Sequence, residues 1–214
     1  KFNVNDVPEH NNWGVETNQR AISSYDSGIS ESEITNLEPL WALKLPDSNR
    51  LRSQPALAGG LLFIGSHSGG VYAFDQKSGC QVWHFKTAGE VRTGIAVDSW
   101  KAGNSSAEPQ IYFGDAIGNV YAVKARSGKL VWRDRADKHP NATITGAPAL
   151  HDGVLYTPVS SLEVQLAVNP YYECCTGRGS VVAYEALTGK RKWKTFTISD
   201  CRRKAAVCCT ASLP

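Results

Sequence analysis

Apolar residues along this chain fall in runs of four to six, rich in Val, Ile, Leu, Phe and Tyr and closed by Gly, Asn, Asp or Ser. Runs of that length between turn formers predict antiparallel strands joined by tight turns, and their period-two patterning excludes a helical solenoid. The runs also repeat. An eleven-residue phrase with Ala first, Gly seventh and Trp last occurs three times: Ala73 to Trp83 (AFDQKSGCQVW), Ala122 to Trp132 (AVKARSGKLVW) and Ala183 to Trp193 (AYEALTGKRKW). A further Gly precedes each Ala by four residues, at Gly69, Gly118 and Gly179.

Two more blocks recur ahead of each phrase. The first is Gln54–Leu57, Gly94–Val97 and Ala147–Leu150; the second is Leu61–Gly65, Gln110–Gly114 and Gly153–Thr157. In Ser78-Gly79, Ser127-Gly128 and Thr188-Gly189 the Gly can take the positive φ a hairpin turn needs, so each phrase reads as strand, turn, strand. Units of about 40 to 50 residues with four strands each predict β-propeller blades, which bury their faces against neighbouring blades. Trp83, Trp132 and Trp193, one per unit, suit a rigid apolar plate filling the wedge between blades.

Bulk composition adds limits. With 214 residues and 42% hydrophobic content the chain can fill a packed core. A net charge of +3, from 23 basic and 20 acidic residues scattered along the sequence, gives no footprint for nucleic acid. No stretch approaches the roughly 18 to 20 consecutive apolar residues of a membrane-spanning helix. The chain starts at Lys1 and has no Met, so a mature or truncated N-terminus is expected. Six cysteines suggest an oxidising compartment, and the sequons at Asn104 and Asn141 would suit exposed loops of a secreted protein.

The third phrase closely resembles Ala-x-Asp-x-x-Thr-Gly-Lys-x-x-Trp, the hallmark of pyrroloquinoline quinone (PQQ)-type repeats, and the resemblance extends from about Trp13 to Ile198. Within that group Asn12-Trp13-Gly14, Glu173 to Ala183 and Trp193 to Ile198 resemble the polyvinyl-alcohol dehydrogenase branch. The fold implied is an all-β partial propeller, about three four-stranded blades of an expected eight or so, hence part of a longer protein. The activity implied is oxidation of alcohol groups, on an alcohol or polymeric alcohol substrate, with PQQ as electron acceptor and cytochrome c downstream. Calcium accompanies PQQ in this family, but no residue here matches its ligands or the catalytic Asp base. The competing reading is a non-catalytic propeller scaffold for protein–protein interaction, as in outer-membrane assembly lipoproteins; fold alone does not choose between them.

Adjacent cysteines have Cα atoms about 3.8 Å apart across a trans peptide, below the usual disulfide range of about 4.4 to 6.8 Å. A Cys174–Cys175 bond would therefore be unusual; in PQQ dehydrogenases a vicinal disulfide resembling this pair stacks on the quinone. Two reduced thiols, or each bonded elsewhere, is the other reading. The pair sits in an enlarged third unit whose extra residues, Ser160 to Tyr172, suggest a functional loop. Arg178 is a candidate donor to a cofactor carboxylate, and Arg52 and Arg92, at equivalent repeat positions matched by Thr145, are candidates to face the axis where the PQQ carboxylates would sit. His10, His67, His84, His139 and His151 show no metal-ligand spacing, so no chemistry is assigned to them.

Residues 1–37 read as a polar lead-in with a loop and short helix, 38–200 as the repeats, and 201–214 as a tail outside the family pattern, with a frameshift or wrong gene model the preferred explanation. Three open blades leave apolar faces and strand edges uncovered, so the polypeptide alone is expected to be unstable or oligomeric.

Overall fold

The computed structural model describes residues 2–8 and 29–198; the Trp13 segment and the 201–214 tail lie outside them. After a four-residue helix, α1 (Glu31–Ile34), come three antiparallel sheets in chain order. The first runs β1 (Ala56–Ala58), β2 (Leu61–Ser66), β3 (Gly70–Asp75), β4 (Gln81–Phe85). The second runs β5 (Ala96–Val97), β6 (Gln110–Gly114), β7 (Asn119–Lys124), β8 (Leu130–Arg135). In the third, β9 (Ala142–Thr143) pairs with the far end of β11 (Val154–Ser161), beside the path β10 (Ala149–His151), β11, β12 (Ser180–Glu185), β13 (Arg191–Phe196).

The repeated phrase is the hairpin from the third to the fourth strand of each sheet. Its first and last residues face one another, as Ala73↔Trp83, Ala122↔Trp132 and Ala183↔Trp193, with a register shift just beyond each Ala. Cross-strand partners point to one face, so the small Ala leaves room for the indole opposite. The phrase Gly serves the neighbouring sheet. The Trp83 indole N–H donates to Ala125 O at 2.9 Å, and a Cβ on Gly128 would lie 2.7 Å from that ring. Trp132 donates to Ala186 O at 2.7 Å and covers Gly189 in the same way. Trp41, ahead of the first sheet, repeats the contact on Gly79, donating to Gln76 O at 3.0 Å. Trp193 lies on the outer side of the third sheet and is 43% exposed.

Period-two alternation divides the middle sheet between two cores. Ile111, Phe113, Tyr121 and Val123 join the first sheet's Phe63, Val71 and Trp83, whereas Tyr112, Val120, Ala122 and Trp132 join Leu155, Val182 and Tyr184 of the third. Neighbouring residues on one strand point to opposite faces, so a blade between two others is buried throughout, as β6 is at all five positions. On the side of the short hairpins Phe2 packs against the first of these cores, and the backbones of Asn3 and Gly59 bond at 2.8 Å.

Candidate functional site

Strand order places two kinds of connection together on the opposite side: the loops from second to third strand, and the links from a fourth strand to the next sheet. In the second sheet this loop is a tight turn closed by buried Asp115, which accepts from Ile117 N, Asn119 N and Nδ2, and the Tyr121 hydroxyl at 2.7 to 3.1 Å. Burial, then the Asp115 bond and charge, push the Tyr121 hydroxyl up to about 12. In the third sheet the same loop grows to residues 162–179 and carries α2 (Glu163–Leu166) and the cysteine pair.

Glu163 organises that enlarged loop. Its side chain is 2% exposed. One oxygen, Oε1, accepts from the Tyr172 hydroxyl at 2.8 Å, Thr176 N at 2.9 Å and the Thr176 hydroxyl at 3.2 Å. Oε2 accepts from the Ser161 hydroxyl at 3.1 Å and from Gly177 N. Burial by itself would raise this carboxyl, but the bonds from Thr176 N, Tyr172, Gly177 N and Ser161 outweigh it and bring it down to about 2.

A strut from the link between the second and third sheets holds the loop at both ends. Thr143 and Ala142 pair with Ser160 and Ser161, Leu162 N donates to Asn141 O at 2.8 Å, and His139 Nε2 meets Thr176 Oγ1 at 2.7 Å. The strut is itself fixed to the third sheet by the ion pair of Asp137 with Lys194.

Cys174 and Cys175 are joined as a disulfide, with Cα atoms 3.1 Å apart across a cis peptide, and both are exposed beside Thr176. Arg178 turns toward the end of β13: its Nε donates to Ile198 O at 3.0 Å and its guanidinium lies 4.1 Å over Phe196. Arg92 is half-buried in an ion pair with Glu90, which also lies 3.2 Å from His67 Nδ1, while its own Nε is buried without a hydrogen-bond partner. Burial would raise Glu90, yet the bonds from Arg92 and His67 leave its carboxyl lowered. Arg52 is exposed in the segment leading into β1. Of the predicted residues, the structure brings the two cysteines together and sets Arg178 on their loop; Arg52 and Arg92 enter the first and second sheets. Glu163 and His139 were not predicted. An acid in a polar insertion reads as a surface residue, and His139 has no spacing that marks it. The signal available was the insertion itself, too long for a tight turn between two paired strands and so in need of anchors of its own.

Three antiparallel sheets of four to five strands in a row, the first two each seated on the next through a Trp, define a β-propeller assembly of PQQ-type repeats. The PQQ_2 family model, described as outer membrane protein assembly factor BamB, matches residues 14–202, and the chain belongs to that family. Polyvinylalcohol dehydrogenases from a Pseudomonas species and from Sphingopyxis sp. (strain 113P3) are 36% and 33% identical to it, each over 87% of this chain. The chain spans 29% and 28% of the length of those two relatives. The solved quinohemoprotein alcohol dehydrogenase of Comamonas testosteroni superposes with a TM-score of 0.54 at 24% identity, over 70% of this chain and 21% of that one, and shares its fold.

Proposed function

We infer that this chain is part of a PQQ-dependent alcohol dehydrogenase of the polyvinyl-alcohol dehydrogenase kind. The observation that carries the reading is the vicinal Cys174–Cys175 disulfide, held on the loop side of the blades by a buried carboxylate. A protein that only needs a docking surface has no evident use for five donors spent on presenting two adjacent cysteines.

The residues on that side suit an anionic, planar quinone. Arg92 Nε and Thr143 Oγ1 are buried polar atoms without partners, a donor and a hydroxyl of the kind a carboxylate recruits. PQQ, when bound, takes the two electrons released by the alcohol. Arg92 and Thr143 would hold the quinone's carboxylates, and the 162–179 loop would bring the Cys174–Cys175 pair to it. Arg178 supports the end of β13, on the strand side of the same loop. Calcium fits less well, since the described residues hold no cluster of three or more ligating side chains and Glu163 is saturated by donors. No step is assigned to it. A polymeric alcohol as substrate, cytochrome c as electron acceptor and a periplasmic or secreted setting complete the proposal.

The family description naming an assembly factor keeps a second reading in view, a cofactor-free scaffold. Incubation with PQQ and calcium followed by gel filtration separates the two: a quinone absorbance that travels with the protein and is lost in the Cys174→Ala/Cys175→Ala variant is expected of the dehydrogenase. A folded protein that retains none fits the scaffold.

A further inference from the structure

The bonds around His139 have a direction. Asn141 N–H donates to His139 Nδ1 at 3.2 Å, so that nitrogen must present its lone pair and the ring proton belongs on Nε2. Nε2–H then donates to Thr176 Oγ1 at 2.7 Å, and the Thr176 hydroxyl, its lone pair engaged, passes its own hydrogen to Glu163 Oε1 at 3.2 Å. The ring nitrogen itself stops 3.9 Å from that carboxylate oxygen. A chain of aligned donors thus runs from the backbone of the strut to the buried carboxylate, through the residue that follows Cys175. The His139 backbone is pinned as well: its N–H donates to Asp137 Oδ1 at 2.8 Å and its carbonyl accepts from Arg135 Nη2 at 3.2 Å.

We propose that His139, as the neutral Nε2–H tautomer, is a positioning residue that locks the Cys174–Cys175 loop in register with the link between the second and third blades. The importance of that loop for a cofactor rests on the dehydrogenase reading above; the locking contact does not. Glu163 gathers the loop's own donors, but all its hydrogen-bond donors lie within residues 161–177, and beyond them only the His139 ring approaches it, at 3.9 Å. At the cysteine end of the loop, His139 to Thr176 is a side-chain bond that crosses to the strut, beside a second from Tyr172 to Asn141.

The test is hydrogen exchange followed by mass spectrometry on the whole chain and its variants. His139→Ala raises exchange in the peptide 173–178 by about three- to tenfold, the effect of losing one hydrogen bond at the loop surface, and leaves β2 and β6 unchanged. Thr176→Val, which also removes the hydroxyl's bond to Glu163, gives at least that rise, and adding His139→Ala to it gives no further rise, as the loss of a shared bond requires. His139→Gln, whose amide N–H can stand in for Nε2–H, restores protection to within about twofold. Unchanged exchange in 173–178 for His139→Ala, an equal rise throughout the third sheet, or no rescue by Gln would each overturn the assignment. PQQ retention is read on the same samples. A wild-type chain that retains no quinone removes the cofactor reading while the exchange data still decide the role of His139; if both hold, His139→Ala also loosens PQQ and His139→Gln restores it.

Discussion

Glu163 is a carboxylate withdrawn from water and then given five donors, which is why it stays ionised where a bare buried acid would take up a proton. Its folded value, about 2, lies below its ordinary 4.5. The contribution to loop stability is therefore complete above about 4.5 and lost as pH falls through about 2. The carboxyl carbon of Glu163, followed by NMR, should titrate with a midpoint near 2; a midpoint in the ordinary range near 4.3 would contradict the network. Glu163→Ala leaves the N–H groups of Thr176 and Gly177 without their acceptor, at roughly 0.5 to 1.5 kcal/mol for each part-buried bond. Proteolysis within 162–179 should rise sharply in that variant while the sheets stay intact. An unchanged cleavage rate would show that the loop is held by something else. Sequence reading found the cysteine pair because adjacent cysteines are rare and chemically distinctive. It passed over Glu163 and His139 because their meaning lies in partners up to 37 residues away.

At the scale of the element, the Ala, Gly and Trp of the repeated phrase each have a separate physical use. Ala makes space across the hairpin, Gly takes a positive φ, and Trp covers the Gly of the following blade. These uses were largely legible, since a repeat aligns residues of one purpose at one offset. Trp41 was less so: it makes the same contact on Gly79 without the phrase before it, and the sequence offers only the indole itself as a clue. The innermost strands, as short as the two residues of β5, were visible only because the repeat marked them. Gly128→Ala demands φ of +66° from a residue with a Cβ and drives that Cβ to 2.7 Å from the Trp83 ring. Urea unfolding should show a loss of more than about 1 kcal/mol, with Trp83→Phe costing about 1 kcal/mol for the orphaned Ala125 carbonyl. An unchanged midpoint for Gly128→Ala would refute the account of blade docking.

Across the whole molecule, the two inner faces between blades are filled and the outer face of the third is not. Trp193 is 43% exposed there, next to Tyr156. Apolar area left open in this way favours association, so sedimentation velocity on this chain should show concentration-dependent self-association that Trp193→Ser weakens. A monomer at every concentration would contradict it. The architecture of three stacked blades was legible from periodicity, whereas the groups gathered on the loop side were not, because a propeller's loop side is assembled from residues of different repeats.

The central claim is that the loop side of these blades presents the Cys174–Cys175 pair to a bound quinone. Its most direct test is a titration of this chain with PQQ, in the presence of calcium, read by quinone absorbance and tryptophan fluorescence, alongside the Cys174→Ala/Cys175→Ala and Arg92→Ala variants. Saturable binding by the wild-type chain that weakens at least tenfold, or about 1.4 kcal/mol, in both variants is the predicted result. Absence of binding to the folded chain, or binding indifferent to the cysteine pair, would contradict it.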